Sequence, residues 1–485
     1  MSVQEAAPIE FFEDYGNNRQ ILHIRDEEED ATSSAQGTDP MDEDDEAEQE
    51  SSEEPEEGEL LEGAIDPKDL RYFPTPVKAE PFASEELRMV LVELCENVVK
   101  GFEEVLKGEK VPSRGGGSEN WDVYHGTAGV ARLFIDIHQR DPNIIISGSK
   151  PRELAQKFIE HAVKGCEDYL DGLMKYKTAL HNCGYVLSPA GVWATAAVVY
   201  QQLEQKELAD EFLARMVHMH RPAFSSHASR ELFYGRPGYL HSLLYIHSTN
   251  AANPKIPPRL ISDTFTQIYK DGTEGVKRTF TRPADRSGCG NESFTAPTPL
   301  LWSWHVERYT GVAHGVAGVL LAMMDLPGKC VGDVREEMKK AVDYLISLKT
   351  WNGNFAVRVD ETIGMSPQLY ETDELMQICH GAPGITLLLL RAHELFQDPA
   401  YLSLAIQISE TIWSRGLLKK GVGLCHGLAG NAAVFFHLYR STSQRSYLQK
   451  AHTYLRAAMD WEKTYVPILE EEGRKGKKSV GEEFG

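Results

Sequence analysis

In the sequence GLLKKGVGLCHGLAGN, residues 416–431, Gly427 and Gly430 stand three positions apart, and small and apolar residues follow them. The same Gly-x-x-Gly unit recurs along the chain. Clear copies stand at 126–129, 235–238, 315–318 and 381–384, and Ser-Pro-Ala-Gly at 188–191 forms a degenerate copy. Glycine permits a tight loop and a close backbone approach where a helix begins. Each copy therefore predicts a loop followed by a tightly packed inner helix.

Longer amphipathic stretches separate these copies. Apolar residues recur at three- and four-residue spacing in stretches such as 334–347, 401–413 and 447–461, a pattern typical of helices with one buried face. Helical periodicity starts near Ser84, which is a suitable N-cap and is followed by two acidic residues. Because β-branched alternation is scarce, we predict an all-α fold.

The repeat also predicts how the helices are arranged. A helical hairpin of this kind buries its second face only by stacking on the next hairpin. A closed ring of hairpins would place the inner helices in the core and their N-terminal ends at one rim. Backbone N–H groups and positive helix ends would then surround a central cavity. We predict such an α/α toroid, with an open solenoid of helical hairpins as the alternative.

Charge divides the chain unevenly. The formal net charge is −23, and residues 26–63 contain 19 Asp or Glu and no Lys or Arg. The remainder carries about −4 (−23 plus 19), so no basic surface indicates nucleic-acid binding. Residues 1–66 have too little apolar content to offset the entropy of ordering, and we predict a disordered acidic tail there. The toroid is predicted over 67–465 and a charged C-terminal tail over 466–485.

The cysteine pattern and the N-terminus favour a reducing, cytoplasmic setting. Seven widely spaced cysteines do not suit a disulfide framework. The N-terminus lacks the basic and apolar regions of a signal peptide, and Ser2 replaces the glycine that N-myristoylation needs. The longest apolar runs, such as 319–324 and 385–390, are too short for a transmembrane helix. We therefore expect a cytoplasmic protein without a transmembrane segment.

Two copies of the repeat carry Cys-His before their first glycine, at Cys379-His380 and Cys425-His426. If the inner helices share a rim, these residues converge there. Cysteine and histidine side chains suit a soft tetrahedral cation such as zinc. A single Cys-His-Gly is a weak signal, because buried free cysteines are common. From the pattern alone, a metal site and a pair of core cysteines both remain open.

Several stretches resemble the signatures of eukaryotic lanthionine synthetase C-like proteins. The similarity covers about residues 84–462, is most specific at 416–431, and includes CHGAPG at 379–384, AHGVAG at 313–318 and ELFYGRPG at 231–238. The family implies a toroid of seven helical hairpins with one zinc ion at the rim. The matching ligands are Cys379, Cys425 and His426, and a fourth position stays open for water or a substrate thiol.

The resemblance also implies a reaction. Bacterial members add a peptide cysteine to dehydroalanine or dehydrobutyrine, and eukaryotic members bind glutathione and are associated with adding it to such residues in proteins. Zinc would present a thiolate at neutral pH by lowering the thiol pKa. His314 matches the family's candidate general acid for the α-carbon, and Lys420 matches a lysine implicated in glutathione binding. His380 would orient substrate or assist proton transfer. For His314, Lys420 and His380, the alternative is a structural role without part in the reaction.

The chain departs from the family pattern after Trp461. There the sequence becomes strongly charged, and the loop and inner helix of a seventh hairpin have no counterpart. An unclosed ring would expose apolar surface on the first and sixth hairpins. The predicted zinc ligands lie outside this gap.

Two functional hypotheses follow. The first is a zinc-dependent enzyme that adds glutathione to proteins or peptides containing dehydroamino acids. The second is a non-catalytic protein that binds glutathione or acts in signalling or as a scaffold, and such a protein could contact the plasma membrane peripherally. The missing seventh hairpin favours this second hypothesis. A toroidal glycosidase would need paired carboxylates at the rim, where the residues before the glycines are instead His, Tyr and Ser.

Overall fold

The computed structural model describes residues 71–73, 83–106, 120–249, 256–280, 296–326, 331–359 and 375–472. These residues form helices and loops, with isolated β-bridges but no β-strand among them, so the predicted all-α class is confirmed. The helices are α1 (Ser84–Leu106), α2 (Thr127–Arg140), α3 (Pro151–Lys175), α4 (Pro189–Gln202), α5 (Lys206–His218), α6 (His220–Phe224), α7 (Arg236–Thr249), α8 (Pro258–Phe280), α9 (Val316–Met324), α10 (Arg335–Ser347), α11 (Ala382–Phe396), α12 (Pro399–Arg415), α13 (Leu428–Thr442) and α14 (Arg445–Met459).

Inner and outer helices alternate along the chain. In the described residues each copy of the repeat opens one inner helix: α2, α4, α7, α9, α11 and α13. Consecutive inner helices pack against one another, and each packs against an outer helix that follows it. The inner helix α4 is buried on all sides from Pro189 to Tyr200, whereas the outer helix α10 buries one face, on which Met338, Ala341 and Leu345 lie. This division into inner and outer helices confirms the predicted toroid of helical hairpins.

The glycines of the repeat lie against carbonyl oxygens six residues earlier in their own loops. A Cβ added at Gly315 would lie 2.5 Å from the Tyr309 oxygen, and one at Gly318 would lie 1.9 Å from the Val312 oxygen. The other copies show the same approach. A side chain at these positions would push the loop away from its helix, which explains why the unit recurs. In the degenerate copy, Ser188 replaces the first glycine and caps α4 through its hydroxyl.

Backbone hydrogen bonds join the loops before the inner helices into one rim. The Cys183 N–H donates to the Tyr234 carbonyl at 2.8 Å, and the Cys379 N–H donates to the Cys425 carbonyl at 3.3 Å. Each bond connects the loops of two consecutive inner helices. Residues that precede the glycines in different repeats are therefore brought to the same end of the toroid.

The first and last described segments also meet. The Phe73 N–H donates to the Leu417 carbonyl at 2.8 Å, and the Phe73 ring is buried near Trp461. Glu86 of α1 pairs with Arg456 of α14 at 3.3 Å. The chain thus returns to its starting side, and α1 lies beside the last outer helix.

In the described part of the chain, no seventh inner helix follows α14. A π-helical turn, Trp461–Tyr465, and a short helical segment to residue 472 stand there instead. Helix α1 exposes the apolar side chains of Met89, Leu94 and Val98. The predicted acidic tail, 1–66, lies outside the described residues. Among the described helices, none has both the length and the apolar character that crossing a bilayer requires.

Candidate metal centre at the rim

Cys379, Cys425 and His426, the three predicted metal ligands, converge at the rim. Their loops precede the neighbouring inner helices α11 and α13, and a backbone hydrogen bond joins the two loops. The candidate ligand atoms all lie within 4.8 Å of one another. Two sulfur ligands on one tetrahedral zinc ion would be about 3.8 Å apart, since each Zn–S bond is about 2.3 Å. The cluster is therefore close to the spacing that a single ion requires.

Exposure increases from one ligand to the next. Cys379 is buried, Cys425 is half-buried and His426 is exposed. The cluster is thus closed towards the protein and open towards solvent. Two sulfur atoms and one imidazole nitrogen leave one tetrahedral corner for water or a substrate thiol, as in catalytic zinc sites. This donor set fits a zinc ion.

The two thiols strongly affect each other's protonation. The hydrogen bond from Cys379, followed by those from His426 and Tyr124, lowers the pKa of Cys425 to about 4. The same contact between the thiols, together with burial, raises the pKa of Cys379. The contact therefore favours deprotonation of Cys425 over deprotonation of Cys379. The deprotonated thiol is the form that binds a cation.

Two adjacent lysines near the cluster have different surroundings. Lys420, the predicted glutathione contact, is exposed, and its positive charge opposes the rise in the pKa of Cys379. Lys419 instead pairs with Glu472 at 2.9 Å and lies 5.4 Å from the centre of the Phe73 ring. Lys419 therefore connects two parts of the fold, whereas Lys420 presents its charge to solvent near the candidate ligands.

His314, the predicted general acid, is held by a buried carboxylate. Its Nδ1 atom lies 2.8 Å from Oε2 of Glu231, a residue with no solvent exposure. Glu231 also accepts hydrogen bonds from the Ser229 hydroxyl and from the N–H groups of Phe233 and Tyr234. Because an ionised carboxylate only accepts, the Nδ1 atom carries the hydrogen, and Nε2 is the atom left to exchange a proton.

Aromatic rings surround His314. The Trp304 indole stacks on its imidazole with ring centres 3.9 Å apart and planes 9° apart. The backbone groups of Trp304 and Glu307 exchange two hydrogen bonds, which fix this tight turn. The His380 ring lies 6.3 Å from the His314 ring and 5.5 Å from the Tyr309 ring. Since His380 follows a predicted ligand directly, the predicted acid–base residues and the metal ligands occupy one site.

Sequence reasoning did not identify Glu231, Trp304 or Tyr124 as site residues. Glu231 stands four positions before the first glycine of its repeat, and Asp122 holds that position in the first repeat, where it binds the His125 N–H. A carboxylate at this repeat position was therefore a usable signal. Trp304 and Tyr124 carry no such signal, because aromatic residues are common wherever side chains pack.

The chain is similar to several known proteins. The family model described as lanthionine synthetase C-like protein matches residues 117–481. The Danio rerio protein glutathione S-transferase LANCL1 is 33% identical over 335 residues, which are 68% of this chain and 72% of that protein. The structure of nisin cyclase matches with a TM-score of 0.53 at 14% identity, over 77% of this chain and 88% of that chain. The last match concerns the fold alone.

Proposed function

Because this chain belongs to the lanthionine synthetase C-like protein family, we propose that it is a zinc-dependent enzyme that adds glutathione to dehydroalanine and dehydrobutyrine residues of proteins or peptides. The observation that carries the proposal is that Cys379, Cys425 and His426 share one rim with the His314–Glu231 pair. A metal-ligand set supports thiol activation, and a histidine oriented by a buried carboxylate supports proton transfer.

The residues of the cluster support activation of a thiol. Zinc, when bound, would lower the pKa of a thiol so that a thiolate is available at neutral pH. The exposure of His426 leaves that side of the cluster open to a molecule the size of glutathione. Lys420, exposed and close to Cys379, would bind a glutathione carboxylate and so orient its sulfur atom.

The proposed addition conserves the atoms of both partners. The thiolate sulfur forms a bond to the β-carbon of the alkene, and the π electrons move to the α-carbon and the adjoining carbonyl group. His314 then donates its Nε2 proton to the α-carbon, while its Nδ1–H remains hydrogen-bonded to Glu231. The proton released by the glutathione thiol reprotonates the imidazole, so the net change is addition of S–H across the double bond.

The neighbours of His314 support this role. The Trp304 indole covers one face of the imidazole, which keeps the ring in the plane set by Glu231. His380 lies beside the ligand Cys379, with its ring 6.3 Å from the His314 ring. In this position His380 would orient the dehydroamino acid or assist the proton transfer.

We place the activity in the cytoplasm, where glutathione is kept reduced. In the described residues the cysteines are all free thiols, namely Cys95, Cys166, Cys183, Cys379 and Cys425. Free thiols are typical of a reducing compartment.

The decisive experiment combines zinc analysis with an assay of the reaction. Zinc per chain would be measured by elemental mass spectrometry, and addition of glutathione to a dehydroalanine peptide by peptide mass. We expect about one zinc per chain, since the donor set holds one ion. Cys425→Ala should lose both zinc and addition, whereas His314→Phe should keep zinc and lose addition. Cys95→Ala, in the outer helix α1, is the matched control and should keep both.

Two results would contradict the proposal. A folded protein without zinc would exclude the metal-dependent reaction. Bound zinc and bound glutathione without any adduct would instead support the non-catalytic alternative, a glutathione-binding or signalling protein, for which the incomplete ring within the described residues is the favouring observation.

A further inference from the structure

Residues 71–73 form a strap that pairs in antiparallel direction with residues 417–419, in the loop before α13. The Phe73 N–H donates to the Leu417 carbonyl at 2.8 Å. At the other end of the pairing, the Lys419 N–H donates to the carbonyl of the first strap residue at 3.0 Å. Because each end of the pairing has its own backbone hydrogen bond, the strap fixes both the position and the direction of this part of the loop.

The side chain of Phe73 anchors the strap. It is buried, and its ring lies 4.8 Å from the Tyr465 ring and 6.2 Å from the Trp461 ring. The Nζ atom of Lys419 lies 5.4 Å from the centre of the same ring and pairs with Glu472 at 2.9 Å. The contacts of the ring thus come from the segment after α14 and from the loop itself. Burial among aromatic rings keeps the strap on the toroid.

Lys420 lies between two backbone segments that are both held. The strap holds residues 417–419. The first turn of α13 holds residues 421–423, whose carbonyls accept hydrogen bonds from the first three N–H groups of that helix at 3.0, 3.3 and 3.4 Å. Since both neighbouring segments are fixed, the backbone of Lys420 has little conformational freedom, although its side chain is exposed.

We propose that Phe73 is a positioning residue for Lys420: by anchoring the strap, it fixes the loop from which Lys420 binds a carboxylate of glutathione. The inference rests on the proposed function, in which Lys420 makes that contact. A loop that is ordered beforehand loses less conformational entropy on binding. Without the Phe73 ring, residues 417–420 would gain freedom that binding must remove. The metal ligands should change less, because the Cys379 N–H separately holds the Cys425 carbonyl at 3.3 Å.

Calorimetric titration of the zinc-loaded chain with glutathione alone tests the inference. Phe73→Ala should raise the Kd for glutathione several-fold, and at most by the roughly tenfold effect of Lys420→Ala, while zinc content stays unchanged. The double variant should have the Kd of Lys420→Ala alone, because the strap acts through Lys420. Phe73→Leu keeps the backbone bonds and much of the buried volume, so it should raise the Kd less. It carries the same comparison should the alanine variant fail to fold.

Two control variants separate positioning from a loss of stability. Phe212 of α5 is as deeply buried as Phe73 and stacks on the rings of Trp193 and Tyr200. Phe212→Ala should therefore lower the unfolding midpoint and leave the Kd unchanged. Lys419→Ala keeps the backbone bond to the strap and should also leave the Kd unchanged. In hydrogen exchange, the peptide that contains residue 419 should exchange faster in Phe73→Ala and remain protected in Phe212→Ala.

Two results would overturn the inference by itself. One is a Kd of Phe73→Ala equal to that of the unmodified chain, and the other is a double variant in which the effects of Phe73→Ala and Lys420→Ala add. Failure of the unmodified chain to bind glutathione would overturn the inference and the proposed function together. Binding of glutathione without addition to a dehydroalanine peptide would contradict the proposed reaction alone, and the calorimetric comparison would still decide the role of Phe73.

Discussion

The Nδ1 atom of His314 lies 2.8 Å from Oε2 of Glu231, although 83 residues separate them in the chain. Glu231 has no solvent exposure, and a buried carboxylate is tolerated only where hydrogen bonds compensate for lost hydration. The N–H groups of Phe233 and Tyr234 supply part of that compensation. The imidazole is therefore oriented by a rigid acceptor, and the pair joins the rim loops of the third and fourth inner helices.

Glu231→Gln should affect both stability and reaction. Both oxygens of the Glu231 carboxylate accept hydrogen bonds from N–H groups. In either orientation of the glutamine side chain, its NH₂ group would therefore replace one of these acceptors with a donor that faces another donor. We expect unfolding free energy to fall by about 1–3 kcal/mol and the rate of glutathione addition to fall by about 10- to 100-fold. Zinc content should be unchanged. Denaturant unfolding, elemental analysis and single-turnover rates measure the three quantities. An unchanged rate would show that the carboxylate does not orient the acid.

Lys420→Ala and Lys419→Ala form a matched pair. Lys420 is exposed near the cluster, so its loss should raise KM for glutathione about tenfold, the scale of one charged hydrogen bond. Zinc and stability should be retained. Lys419 pairs with Glu472 and packs over Phe73, so Lys419→Ala should lower the unfolding midpoint without changing KM. Steady-state kinetics measures KM for glutathione, and denaturant titration measures the unfolding midpoint of each variant. A KM of Lys420→Ala equal to that of the unmodified chain would show that Lys420 does not contact the substrate.

Gly381→Ala should disrupt the loop of the predicted metal ligand Cys379. Gly381 has φ of +99°, and a Cβ there would lie 1.8 Å from the Leu375 carbonyl oxygen. Gly421 also has positive φ, +107°, but open space surrounds its Cβ position. Gly421→Ala should therefore cost only about 1–2 kcal/mol for its backbone conformation. Gly381→Ala should cost more and should also lower zinc content. Thermal melts measure the stability of both variants, and elemental analysis measures their zinc content. Equal losses of stability and zinc in Gly381→Ala and Gly421→Ala would contradict the prediction.

His241 of α7 should make the fold sensitive to acid. Burial, followed by the positive charge of Arg132, lowers the pKa of His241 to about 4, and Asp325 lies 3.9 Å from its Nδ1. An unfolded histidine has a pKa of about 6.5. Between these values the unfolded chain binds more protons, so stability falls as pH decreases from about 6.5 to 4. Burial lowers further histidine pKa values in the same direction, those of His138, His181, His220, His437 and His452.

His241→Gln should reduce this loss of stability. Denaturant unfolding of both proteins at pH 7.5 and at pH 5.5 gives two stability differences, and the variant should show the smaller one. Solvent reaches part of the His241 side chain, which weakens the effect. Equal differences in the two proteins would show that His241 does not contribute to the acid sensitivity.

Much of the architecture was predictable because it depends on local patterns. Each Gly-x-x-Gly unit marks the start of an inner helix, since the glycines contact carbonyl groups six residues away in the same loop. The amphipathic period identifies the outer helices. The convergence of Cys379, Cys425 and His426 was predictable because the two cysteines stand at equivalent positions of their repeats, and equivalent positions meet at one rim.

The remaining features of the site depend on contacts between distant loops. Nothing near Glu231 in the sequence indicates His314 as its partner. The adjacent lysines at 419 and 420 look alike in sequence, yet only one of them is held by Glu472.

The sequence by itself determined the helices and the repeat of this protein, because backbone sterics and helical periodicity act over a few residues. The tertiary structure alone decided which side chains pair across the rim. That choice follows from packing the inner helices around one centre, which brings loops from opposite ends of the chain within hydrogen-bonding distance, and no local pattern records such a distance.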